Sequence, residues 1–276
     1  MSPRDQHVLI TGGSSGIGLA LARQCAAQGA RLSLLARDHT RLAAARTELL
    51  AASPGASVFT TSVDVALAAD LTAALTAAEQ THGPVDILIA SAGIARPGYF
   101  EDVPVAIFER AMAVNYFGTL YALKTLIPAM RARRHGAVVL ISSGAGLHGF
   151  FGYTSYSPTK FALRGLAEAL RAELKDSGVG ITIVYPPDTD TPQLAEENLT
   201  KPIETKAITA GGGLWSADAV AALTLAGLAR GRFSITPGWQ ITALAWLHSL
   251  LAPVLYWSFD RTARQARAQQ AKSPAR

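Results

Sequence analysis

The sequence predicts an α/β chain: a doubly wound parallel sheet of about seven strands with helices on both faces, then an apolar helical extension. Three observations carry this. Short β-rich runs alternate with helix-length segments as far as residue 235, the pattern of right-handed βαβ units. Several runs are almost wholly apolar, as in Val85-Asp86-Ile87-Leu88-Ile89-Ala90, which is expected of strands covered on both faces. A glycine-rich stretch follows the first run, where a strand would hand over to a helix.

Strands are expected at 7–11, 31–36, 57–62, 85–90, 136–142, 180–185 and 233–235. Helices are expected near 17–28, 41–52, 68–82, 104–133, 156–177 and 216–230. Composition agrees with a packed fold: 49% of the 276 residues are apolar and 16% charged, against roughly 25% charged in an average soluble domain. Disorder as the general state is excluded. We divide the chain into a domain at 1–235 and an extension at 236–276. The single Cys25 excludes an intrachain disulfide or a Cys-based zinc site and suits a reducing compartment; no metal is expected.

The opening run His7-Val8-Leu9-Ile10-Thr11 is too short for a secretory signal, so the chain is expected to start in the cytosol. It leads into Thr11-Gly12-Gly13-Ser14-Ser15-Gly16-Ile17-Gly18. Gly12, Gly16 and Gly18 permit a tight turn and close approach to a pyrophosphate, and the helix beginning near Ile17 offers unpaired N–H groups. With Ser14 and Ser15 this makes a Rossmann-type dinucleotide site. The second strand ends in Ala36-Arg37, with no acid for a ribose 2′-hydroxyl. A guanidinium suits a 2′-phosphate, so NADPH is favoured over NADH. Asp64, after the third strand, either accepts from the adenine amino group or caps the next turn.

Tyr156-Ser157-Pro158-Thr159-Lys160 places a phenol and an ammonium four residues apart, on one face of a helix. An ammonium favours the phenolate of a group whose free pKa is near 10, so Lys160 is expected to lower the phenol's pKa. Ser143, thirteen residues earlier at a strand end, is placed to hold a carbonyl oxygen while Tyr156 supplies a proton. Asn115 lies inside a long helix, where a buried amide needs partners.

Residues 186–215 lack strong periodicity and follow a strand end, so a substrate lid is expected there. Next, Trp239 to Phe259 is a 21-residue run whose clearly polar residues, Gln240, Thr242, His248, Ser249 and Ser258, scatter around a helical wheel. Such a helix is buried or in lipid. Because Pro253 interrupts it, we expect a membrane-inserted helix pair lying in one leaflet rather than a span or a buried helix. Residues 260–276 hold Arg261, Arg264, Arg267, Lys272 and Arg276 against Asp260, four of the chain's five net positive charges. A short basic tail beside an apolar segment suits an anionic membrane surface, not nucleic acid.

The glycine turn, Ser143, Tyr156, Lys160 and Asn115 together resemble the short-chain dehydrogenase/reductase family as far as residue 235. The resemblance implies that Tyr156 is the general acid/base and that Lys160 lowers its pKa and binds the nicotinamide ribose. It further implies that Ser143 orients the carbonyl and Asn115 anchors a proton-relay water. The cofactor site then also includes Ala92, Gly93, Pro186, Thr189 and Thr191. Two departures stand out. The family's Asn-x-Ala-Gly is Ala90-Ser91-Ala92-Gly93 here, and its Pro-Gly is Pro186-Pro187.

A narrower likeness lies in Gly149-Phe150-Phe151-Gly152-Tyr153-Thr154-Ser155-Tyr156, in Tyr185-Pro186-Pro187-Asp188-Thr189-Asp190-Thr191-Pro192 and in Ala195-Glu196-Glu197-Asn198-Leu199-Thr200-Lys201-Pro202. These resemble the 3-ketodihydrosphingosine reductases, which implies NADPH-dependent reduction of a long-chain keto-base in sphingolipid synthesis; with the cytosolic start and the apolar C-terminal segment, we expect it at the cytosolic face of a membrane. The alternatives are a reductase for another lipophilic ketone or 3-oxoacyl thioester, and a non-catalytic NADPH sensor. Among the lid acids Asp188, Asp190, Glu196 and Glu197, one is a candidate for the substrate's ammonium. Leu147, Phe150, Phe151 and Tyr153 either wall an alkyl channel or pack beneath the lid. His148 is given no role. The resemblance also implies a homodimer or homotetramer paired through the helices bearing Asn115 and Tyr156.

Overall fold

A computed structural model describes the backbone of residues 1–272, with side chains through residue 270; the Lys272 side chain and Arg276 of the basic tail lie outside the described residues. The first strand, β1 (His7–Thr11), is buried along its whole length. Side chains of a strand alternate between faces. Thus Leu9 enters one core, while Val8 and Ile10 enter the other.

The chain continues as α1 (Gly16–Ala26), β2 (Arg31–Ala36), α2 (His39–Ala52), β3 (Ser57–Ser62), α3 (Ala68–His82) and β4 (Ile87–Ala90). Then come α4 (Val105–Met112), α5 (Gly118–Arg133), β5 (Gly136–Ile141), α6 (Ser157–Glu173) and β6 (Val179–Val184). Leu71 of α3, Leu126 of α5 and Ala167 of α6 cover one face of the sheet; Leu21 of α1 and Leu49 of α2 cover the other. Each fully buried leucine stabilises the packing by roughly 1.5–3 kcal/mol.

Residues 104–133 form one helical run, as expected, but not a uniform one. Between α4 and α5 the coil widens into a π turn, Ala113–Phe117, which contains Asn115. Residues 186–215, expected to be irregular, are instead largely folded: β7 (Thr189–Asp190), α7 (Pro192–Thr200), α8 (Ile203–Thr209) and β8 (Trp215–Ser216). β7 and β8 pair in parallel, Thr189 with Trp215 and Asp190 with Ser216, and so pin the two ends of the segment together. Local caps that strong periodicity does not reveal start α7, where the Thr191 hydroxyl accepts from the Leu194 N–H.

The remaining elements are α9 (Ala217–Ala229), β9 (Ser234–Ile235) and α10 (Trp239–Lys272). The helix pair expected from Pro253 is a single helix, α10, with the proline inside it. Proline removes one hydrogen bond of the ladder, but Leu255, two residues on, packs against the core and carries the helix past the gap. The first turns of α10 bury Ile241 and Leu244 in the same core as the sheet.

Seven parallel strands form the main sheet in the order β3-β2-β1-β4-β5-β6-β9. In the register, Thr11 stands opposite Leu35 and Ala90, and Ile141 opposite Val184. The carboxyl ends therefore share one edge. Strand order reverses between β1 and β4, and a crevice opens at such a switch point.

Candidate active site

A cavity of about 1210 Å³ runs along that edge. It starts at Arg37, Asp38 and Arg41 after β2, passes Gly12, Ser14, Ser15, Gly16 and Ile17, and ends at Ser143, Tyr156 and Lys160. Asp64, Ala92, Gly93, Pro186, Thr189 and Thr191 also line it. Of the expected site residues, Gly18 and Asn115 lie behind the lining.

The turn after β1 has no room for side chains at two positions. A Cβ on Gly12 would lie 2.8 Å from the Ala92 nitrogen, and one on Gly18 would lie 2.2 Å from the Gly12 carbonyl oxygen. Ser15 caps α1 without a side-chain hydrogen bond, so the first N–H groups of this helix face the cavity uncapped. This cradle fits a pyrophosphate. Arg37 is exposed, and no carboxylate lies within ion-pair distance of it among the described residues. Asp38 is occupied elsewhere: it accepts from the Arg41 N–H and pairs with the Arg41 guanidinium at 3.5 Å. The residues present thus fit a dinucleotide with a 2′-phosphate.

Asp64 acts as a cap. Its Oδ1 accepts from the Ala66 N–H at 3.0 Å, and its Oδ2 pairs with Arg110. Burial opposes its ionisation, but these two donors and the nearby Arg37 hold the carboxyl below its usual range.

Tyr156 precedes α6, and Lys160 follows one turn later; both are buried. The Lys160 Nζ donates to the Ile141 carbonyl at 3.0 Å and lies 5.4 Å from the centre of the Tyr156 ring. Burial lowers the ammonium to about 8, with Glu197 opposing. The phenol is raised above its usual 10, first by burial and then by the charge of Glu197, while hydrogen bonding from Ser143 and Gln193 pulls the other way. This reverses the expected direction. Desolvating a phenolate costs more than its neighbours return, so the phenol rests protonated, the state an acid needs.

Ser143 accepts from the Ala145 N–H at 3.1 Å, which leaves its own hydrogen free to donate. The neighbouring Ser142 is buried and donates to the Lys160 carbonyl at 3.2 Å. Both serines line the cavity, but the Ser142 hydroxyl is spent on that carbonyl, whereas the Ser143 hydrogen is free.

Asn115 is fully buried. Its Nδ2 donates to the Ile94 carbonyl at 3.0 Å and to Thr159 Oγ1 at 2.9 Å, and its Oδ1 accepts from the Ile94 N–H at 2.8 Å. Both amide hydrogens are used, so the side chain braces the loop after β4 against α6.

Around the catalytic end the lid supplies Glu197, Gln193 and Asp188, and α10 supplies Ile241, Leu244, Leu255 and Phe259. Lys201, its side chain 2% exposed, pairs with Asp188 at 3.0 Å. Of the four candidate channel residues, Phe150 and Tyr153 line the cavity. Leu147 belongs to the core, and Phe151 packs edge-on against Tyr99 at 6.0 Å. His148 packs at a tilt against His248 and Tyr256 and edge-on against Phe259, tying the loop before α6 to α10. Arg41, Gln193, Lys201 and the α10 wall join the site without having been expected from the residues alone. The wall was visible in principle, since Ile241, Leu244, Leu251 and Leu255 recur at helical spacing.

Residues 6–202 match the family model described as short chain dehydrogenase. A Danio rerio protein named 3-dehydrosphinganine reductase is 43% identical over 244 residues, which cover 86% of this chain and 74% of that one. A Bos taurus 3-ketodihydrosphingosine reductase is 42% identical over 251 residues, covering 90% and 76%. Among solved structures, a short-chain dehydrogenase from Sphingobium yanoikuyae in complex with NADPH superposes with a TM-score of 0.76 at 28% identity, covering 96% of this chain and 95% of that one.

Proposed function

This chain belongs to the short-chain dehydrogenase family, and from that premise we propose that it reduces the C3 ketone of 3-ketodihydrosphingosine to dihydrosphingosine with NADPH, in sphingolipid synthesis. The observation that carries the reading is a buried Tyr156 beside Ser143 and Lys160, in a cleft whose other end fits a dinucleotide and whose wall here is apolar.

NADPH, when bound, supplies a hydride to the carbonyl carbon. The Ser143 hydroxyl donates to the ketone oxygen and holds it against Tyr156. The Tyr156 hydroxyl gives its proton to that oxygen as negative charge develops there. Lys160, fixed by the Ile141 carbonyl, would offer its remaining hydrogens to the ribose of the cofactor. Arg37 would hold the 2′-phosphate, Gly12 to Ile17 would seat the pyrophosphate, and Thr189 and Thr191 would flank the nicotinamide end.

The apolar side of α10 supports a membrane setting. Over Trp239–Gln270 the helix is long and apolar enough to cross a bilayer. It packs one side on the domain, however, and leaves Trp246 81% and Leu250 77% exposed on the other. A helix with one side on the protein fits an in-plane position at the cytosolic face of a membrane, with Arg261 and Arg264 toward the headgroups. We retain the division into a reductase domain at 1–235 and a membrane-facing extension at 236–276. Exposed Phe117 and Phe161 support a homodimer or homotetramer paired through the helices bearing Asn115 and Tyr156.

A ketone panel with NADPH tests the reading. Purified protein should turn over 3-ketodihydrosphingosine fastest, and more so with lipid vesicles present. Faster turnover of a 3-oxoacyl thioester would reverse the substrate assignment, and no NADPH oxidation with any ketone would leave a nucleotide sensor.

A further inference from the structure

We propose that Glu197 receives the ammonium group of an α-amino ketone substrate and so selects it over a plain ketone. The inference rests on the function proposed above. In an α-amino ketone the charged nitrogen and the carbonyl sit on neighbouring carbons, so an anion that binds the first must lie close to the acid that protonates the second. Glu197 meets that requirement. It lines the cavity together with Tyr156 and Lys160, and Tyr153, which donates to it, packs 5.6 Å ring to ring from Tyr156.

Burial makes Glu197 unusual. It is 7% exposed, yet no Lys, Arg or His nitrogen lies within ion-pair distance among the described residues. A buried carboxylate is costly unless paired. Its support is neutral instead: the Tyr153 hydroxyl donates to Oε2 at 2.6 Å, and Gln193 Nε2 donates to Oε1 at 2.8 Å. Two donors leave about half of a carboxylate's roughly four acceptor sites open. The charge is held in place and lacks a cation.

The other lid acids do not compete. Asp188 is neutralised by Lys201, Asp190 is exposed outside the cavity, and Glu196, though on the cavity wall, is exposed and so stays solvated. The other buried acid nearby, Glu204, pairs with Arg267. Binding an ammonium at Glu197 would also cancel the charge that helps hold the Tyr156 proton, so the arrival of the correct substrate would ease proton release.

The test compares 3-ketodihydrosphingosine with the same long-chain ketone lacking the amino group, using the full chain and NADPH. For the wild type, kcat/KM should favour the amino ketone. In Glu197→Gln, which keeps the size and the Tyr153 contact, that preference should fall by roughly 10- to 100-fold, mostly through KM. The deamino ketone should lose far less. Asp190→Asn, at an exposed lid acid outside the cavity lining, should keep the wild-type ratio. Should Glu197→Gln not fold, Glu197→Asp decides instead, since a shortened carboxylate must penalise the amino ketone more than its analogue. An unchanged ratio, or an equal loss on both substrates, overturns the assignment. A wild type that reduces only the deamino ketone overturns the proposed function itself, and this assignment with it.

Discussion

The side-chain nitrogen of Asn115 donates a 2.9 Å hydrogen bond to Oγ1 of Thr159. This contact joins the π turn to the helix carrying Lys160, one residue away. The amide also satisfies both backbone groups of Ile94. Asn115→Leu keeps the volume but strands those groups, at about 1–3 kcal/mol for each one left unpaired. Urea denaturation should show the loss, and kcat should fall with it. Thr159→Val removes a single partner and should cost less.

Removal of the Tyr156 hydroxyl should act on chemistry alone. In Tyr156→Phe, turnover should drop by roughly 10²- to 10⁴-fold while NADPH affinity holds. Ser143→Ala should lower kcat by roughly 10²-fold, as for other single donors to a developing oxyanion. Stopped-flow NADPH oxidation and fluorescence titration separate the two effects.

Burial places Lys160 at about 8 in the NADPH-free chain, below its ordinary 10.5. Between those values the unfolded chain binds more protons at this site than the folded one. Stability attributable to Lys160 therefore rises with pH across the window, as the penalty on the buried ammonium is relieved. NADPH affinity should run the other way and weaken as pH rises through about 8, because the charge that faces the ribose is lost. Lys160→Met should flatten both trends in thermal melts and nucleotide titrations.

Arg37→Asp should weaken NADPH binding by roughly tenfold or more and improve NADH binding, since it exchanges a 2′-phosphate partner for a 2′-hydroxyl acceptor. Arg37 has no carboxylate within ion-pair distance among the described residues, so the fold should be untouched. Affinities for the two nucleotides, measured side by side, check this. Equal NADPH affinity in both proteins would make Arg37 an ordinary surface residue.

Trp246→Ser with Leu250→Ser removes two exposed apolar groups from α10. Each is worth roughly 1.5–3 kcal/mol when buried, so co-sedimentation with anionic vesicles should fall steeply. Turnover of a short, water-soluble ketone should not change, because neither residue lines the cavity.

Much of this architecture could be read from the residues. Apolar runs such as Leu32 to Ala36 have few alternatives to a covered strand, and the Tyr156–Lys160 spacing has one meaning on a helix. The rest depended on context. Glu196 and Glu197 are chemically identical neighbours, and only the rotation of α7 decides which one is buried. Pro253 reads as a break, but packing by Leu255 overrides it. The inward placement of Asn115 follows from one extra residue in a helical turn, which leaves no periodic trace. The direction of the Tyr156 shift depends on desolvation, a property of the surroundings rather than of the motif.

Near the nucleotide's diphosphate, three stretches of main chain are interleaved so tightly that one methyl group at position 12 or 18 would collide with its neighbour. That half of the groove has no tolerance for drift. A lineage that changes which coenzyme it accepts must do so at the opposite end, around positions 37 and 41, where both side chains face water. The two ends of one groove are therefore set to evolve at different speeds, one frozen by sterics and the other open to selection.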